Sequence, residues 1–158
     1  MQKLSNHLTD CRSRLLDADA LLNHLSKPEN LEHLLSSDSP EVTLGALIER
    51  AYSLVSDACG DTELLCSAHN SEVVAEENDS SGGAGSTPAV EGVEALNTID
   101  MIHEHTRSML LMMLVYLEQA REGGTGLNEL VLENYVGQMI DNMDRAVEAS
   151  CALSKSKS

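Results

Sequence analysis

The chain of 158 residues contains no Phe and no Trp, and its only aromatic residues are Tyr52, Tyr116 and Tyr135. An interior without large rings must be filled by Leu, Met, Val, Ile and Ala. Most of these are strong helix formers and few are strand formers. Proline is scarce as well, at three residues, and there is no train of short alternating segments. These absences argue against a β-sandwich or an α/β fold and predict an all-α protein.

Positive charge is also scarce. Ten Lys and Arg stand against 26 Asp and Glu, for a formal net charge of −16. Such a chain is repelled by nucleic acid and by anionic membrane, so direct binding to either is not expected. Half of the net charge falls in residues 61–94, which hold eight acidic residues and no Lys or Arg. One reading of this stretch is a solvated, solubilising segment. The competing one is an acidic inhibitor that mimics nucleic acid and engages a basic site on a partner. Arg12, Arg14, Arg50, Arg107, Arg121 and Arg145 break up any uniformly acidic helix face.

Cys11, Cys59, Cys66 and Cys151 never fall at Cys-x-x-Cys spacing, and the N-terminus has no continuous apolar run of the kind a secretory signal requires. Four packed thiols in a reducing cytoplasm are expected. The apolar run of the chain is uncharged only from Ser108 to Leu117, half of what a bilayer demands. No membrane association is expected.

What is present is helical periodicity. Leu4, Leu8, Cys11, Leu15, Ala18, Leu22 and Leu25 recur at alternating spacings of four and three, the heptad seam of a coiled-coil-like helix over Gln2 to Leu25. Pro28 ends it, and a short helical piece carries Leu31, Leu34 and Leu35. Ser39-Pro40 is a cap-then-proline start for a second long helix lined by Leu44, Ile48, Ala51, Val55 and Ala58. Gly60 is expected to stop or bend it, with helix resuming from Thr62 to about Val74.

The Gly, Ser and acidic content of residues 76–89 predicts a flexible linker, because so little apolar surface cannot offset ordering entropy. Thr87-Pro88 repeats the start signal. A third helix then carries the seam Ile99, Ile102, Thr106, Met109, Met113, Tyr116 and Ala120. A tight turn at Gly123-Gly124-Thr125-Gly126 leads to a fourth helix, with Leu132, Val136, Met139, Met143, Ala146 and Leu153 along its seam. So short a connection makes the last two helices an antiparallel hairpin. The expected architecture is one up-and-down bundle of about four long helices. Residues 1–75 supply its N-terminal helices, 90–153 its C-terminal hairpin and 154–158 a frayed tail.

The run Met109 to Leu117 is apolar on every side, which predicts a central strut buried among its neighbours. Methionine is also over-used on surfaces that adapt to partners. Met109, Met112, Met113 and Tyr116, flanked by Met139 and Met143, are therefore the candidate surface for binding a protein partner, with a second copy of the chain the expected occupant.

Signals of chemistry are weak. Asp100, His103 and Glu104 share a helix face and are the types that hold a divalent ion. The inward-facing Glu-x-x-His pairs of a di-iron bundle are missing, however, and a solvated charged face is expected instead. His103 and His105 lack the Lys and Gly that accompany a phosphotransfer histidine. There is no nucleophile elbow, phosphate loop or dinucleotide fingerprint. No metal, no cofactor and no catalysis are expected. The function expected is that of a regulatory or interaction bundle; the alternatives are the acidic inhibitor and, after it, a bundle that binds a small molecule or a metal.

Overall fold

The computed structural model describes the backbone of residues 2–79, 87–124 and 127–156, and the side chains of 6–68, 94–124 and 127–151. Among the described residues there are five helices and no strand. They are α1 (Gln2–Leu25), α2 (Pro28–Leu35), α3 (Pro40–Asp79), α4 (Thr87–Arg121) and α5 (Glu129–Ser156).

The long helices close into a ring in which α1 packs on α3 and α5, and α4 packs on α3 and α5. The direction of each follows from the two ends of the core. At one end Leu8, Leu65, Leu96, Ile99 and Ala149 cluster. At the other, Leu25, Leu31, Ile48, Leu117 and Leu132 surround a closed void of only about 10 Å³. Neighbours in the ring are therefore antiparallel throughout, as in an up-and-down four-helix bundle. α2 closes the second end, where Leu31 is inserted beside Leu25 and Leu44.

On α1, Cys11, Leu15, Ala18, Leu22 and Leu25 are all buried, in the register that the heptad spacing predicts. On α5 the buried positions are Leu132, Val136, Met139, Asn142, Met143, Ala146 and Ser150. Truncating a fully buried Leu such as Leu15 or Leu22 to Ala is expected to cost about 2–5 kcal/mol.

The break expected at Gly60 does not occur. α3 continues through it to Asp79. The buried stripe Leu44, Ile48, Ala51, Val55, Ala58, Thr62, Leu65 passes the glycine without a change of phase. Gly60 is exposed, on the outer side. An interior glycine costs a helix about 1 kcal/mol relative to alanine, less than the burial of Thr62 and Leu65 contributes. The two ends of the expected linker, residues 76–79 and 87–89, are helical, and residues 80–86 lie outside the described ones.

The turn between α4 and α5 is a Schellman close. Gly123 has φ +85°. Its N–H donates to the Ala120 carbonyl at 3.2 Å, and the Gly124 N–H donates to the Gln119 carbonyl at 2.9 Å. Past the turn, the Asn128 N–H donates to the Tyr116 hydroxyl at 2.8 Å, and Asn128 Oδ1 caps α5 by accepting from the Val131 N–H at 3.1 Å. Tyr116 thereby anchors the entry to α5.

Candidate interaction surface

Within the ring α4 has two neighbours, so its outward side is uncovered. The run from Met109 to Leu117 is accordingly split. Met109, Leu110, Met113 and Leu117 are buried, whereas Leu111, Met112 and Val115 are 51–60% exposed. The run is thus one wall of the core rather than a strut buried on every side.

Of the six residues singled out for partner binding, the structure puts Met109, Met113, Met139 and Met143 in the core. Met112 is exposed and Tyr116 half-buried. Met112 and Tyr116 meet Val131 and Tyr135 of α5 around an open groove of about 430 Å³, floored by Met113 and Leu132. Leu111, Val115 and Val131 are further exposed apolar side chains on its lining. Gln119, exposed, also lines it, and no lining residue is charged. Leu111, Val115 and Val131 were not singled out from the sequence. For Leu111 and Val115 the signal was the same uncharged run, read with the helix phase one residue on.

The densest polar group lies elsewhere, inside the bundle. His103 is fully buried, which corrects the expectation that it sits on a solvated face with Asp100 and Glu104. The central buried stripe of α4 is Leu96, Ile99, His103, Thr106, Leu110, Met113, Leu117. This is the same alternation of three and four, and His103 holds one of its central positions. Glu104 faces outward and pairs with Arg107 at 3.3 Å.

Inside, His103 Nδ1 lies 3.3 Å from Thr62 Oγ1 on α3. The Thr62 hydroxyl donates its one proton to the Ala58 carbonyl at 3.0 Å, so Nδ1 must be the protonated nitrogen and donates to Thr62. Cys11 of α1 approaches the same oxygen, its Sγ at 3.6 Å. His103 Nε2 and Thr106 Oγ1 are buried with no partner among the described residues. Beside this layer Asp61, largely buried, accepts from Arg14 and from His7 Nδ1 at 3.2 Å, clasping α1 to α3.

Burial sets the protonation of the layer. It pushes His103 down to about 4 and raises the Cys11 thiol, and it pushes Cys59 up to about 12. Near neutral pH, imidazole and thiols are therefore all uncharged, the reverse of a thiolate–imidazolium pair. Among the described residues no three His, Cys, Asp or Glu side chains are grouped so as to hold a metal ion. Nor is any described helix long and apolar enough to cross a membrane. Of the acidic stretch 61–94, the side chains of 69–93 lie outside the described residues. No family model, no curated protein and no solved structure matches the chain.

Proposed function

We propose that the protein is a non-catalytic interaction bundle that self-associates through the groove between α4 and α5. The observation that carries this reading is the gathering of Leu111, Met112, Val115 and Val131, each 39–60% exposed, about one groove. Scattered apolar residues on a surface need no explanation, but a contiguous patch marks a contact site. In a two-fold arrangement the ridge of Met112 and Val115 from one copy enters the groove of the other, and the same surface serves both. The uncharged lining lets two acidic chains approach there without placing carboxylate on carboxylate.

The patch is on the order of a few hundred Å², below the roughly 800 Å² per partner of a standard interface. The association is therefore weak, and the overall charge of −16 opposes it. The four cysteines are free thiols, which fits a reducing compartment such as the cytoplasm.

The test is solution mass by light scattering behind a sizing column, over a concentration series in low and high salt. A monomer–dimer equilibrium that shifts toward dimer as salt screens the like charges is expected. The exposed-site variant Met112→Asp/Val131→Asp should stay monomeric with an unchanged helical circular dichroism spectrum. A wild-type chain that is monomeric throughout, or a dimer that the double variant leaves intact, would refute the proposal.

A further inference from the structure

On the other side of α4 a second groove, of about 530 Å³, runs against α3, lined among others by Glu41, Val42, Gly45, Glu49, Val115 and Glu118. Its character differs from that of the first. Glu118 is tied to Arg121, which also lines the groove, whereas Glu41 and Glu49, on the same lining, make no ion pair with any described residue. Eight residues separate them, roughly 12 Å along the helix axis. The groove thus has a lining of Val42 and Val115, both more than half exposed, and three carboxylates against the one guanidinium of Arg121, which is taken up by Glu118 and leaves Glu41 and Glu49 unpaired.

Gly45 lies between those carboxylates. A Cβ added there would meet nothing within 4 Å, so packing within the chain does not require a glycine at this place in a continuous helix. Gly60 and Gly137 are open in the same way. Openness alone therefore does not mark Gly45, but its place on the groove lining does, because a bare backbone lets another backbone approach closely.

We propose that this groove seats an amphipathic α-helix of another protein. Its apolar stripe lies over Val42, Gly45 and Val115, and Lys or Arg side chains about two turns apart on its flank meet Glu41 and Glu49. This is the helix-in-groove mode of recognition. Charge decides the occupant: a second copy of this chain would bring a further −16 to two uncompensated carboxylates, whereas a basic helix is steered toward them. The proposal goes beyond self-association at the α4–α5 groove and does not need it; because Val115 lines both grooves, the peptide is seated on the monomer.

The experiment uses a synthetic, fluorescently labelled 18-residue peptide with Leu at helical spacings of three and four and Lys two turns apart on both flanks. Its controls are a scramble of the same composition and a version with Glu for Lys. Anisotropy is read on the full chain at concentrations below self-association, and in parallel on Met112→Asp/Val131→Asp. That variant should bind the peptide as the wild type does, so failure of self-association and failure of this groove are told apart.

The helical Lys peptide should bind at least tenfold tighter than either control. Glu41→Lys/Glu49→Lys, and separately Gly45→Leu, should each weaken it at least tenfold while retaining the helical spectrum. Equal binding of the scramble, no binding of the Lys peptide, or wild-type binding by both groove variants would overturn the proposal. So would a dimer of the wild-type chain that Gly45→Leu abolishes, since a second copy would then be the occupant.

Discussion

His103 of α4 and Thr62 of α3 meet 3.3 Å apart in the interior of the bundle, each at a heptad position that an apolar residue would ordinarily fill. Thr62 is satisfied through the Ala58 carbonyl, and His103 is satisfied at one nitrogen only. A buried imidazole with a bare Nε2 has a cost, and that cost is readable in how stability responds to acid.

Unfolded, His103 takes up a proton below about 6.5; folded, it resists until about 4. Between these values the unfolded state binds more protons, so stability is full above pH 6.5 and is lost progressively as pH falls toward 4. At about 1.4 kcal/mol per pH unit the loss attributable to His103 is about 3 kcal/mol. Urea unfolding at pH 7.5, 5.5 and 4.5, on wild type and His103→Leu, isolates it from the carboxylates. The variant should show a shallower pH dependence by that amount; parallel curves would mean the imidazole is not buried.

The thiols should differ in reactivity. Cys11 and Cys59 are buried and shifted up, Cys59 to about 12, while Cys66 and Cys151 are only partly covered. Alkylation with iodoacetamide at pH 8, followed by peptide mass spectrometry, should label Cys66 and Cys151 first. Cys11 and Cys59 should label at the rate of unfolding. Labelling of all four at one rate would contradict the burial.

The α4–α5 turn offers a backbone test. Gly123 holds φ +85° and a Cβ on Gly124 would stand 2.6 Å from the Gln119 carbonyl oxygen. Gly123→Ala is expected to cost about 1–2 kcal/mol through the left-handed conformation alone. Gly124→Ala adds a backbone clash and should cost at least as much. Thermal melts compare both with Gly137→Ala, which has open space and should raise stability by up to about 1 kcal/mol.

The fold was legible where apolar residues alone carry the heptad. The buried face of α1 coincides with the spacing of Cys11, Leu15, Ala18, Leu22 and Leu25, and the start of α3 at Pro40 and of α4 at Thr87 follows the cap-then-proline signal. It was misread where the core is polar or a breaker is tolerated. Following only apolar residues along α4 gives a stripe through Ile102, Met109 and Tyr116. The most deeply covered line runs one residue later at those levels, through His103 and Leu110, and by Leu117. That shift hid His103 and disguised Leu111 and Val115 as core. Gly60 was a similar case: local propensity favours a break, and packing on either side of it outweighs that preference.

The polar layer also divides the interior. On one side of it lies the large apolar cluster from Leu15 to Met143. On the other, among the described residues, Leu65, Leu96 and Ile99 are buried, with Leu8, Cys66, Ala95 and Ala149 packed against them. The boundary between the two is a row of hydrogen bonds, which water can replace. Amide hydrogens of residues 96–102 should therefore exchange with solvent sooner than those of 109–117 on the same unbroken helix. The polar layer is then a parting line, with the hairpin end staying shut while the interior beyond the layer admits solvent.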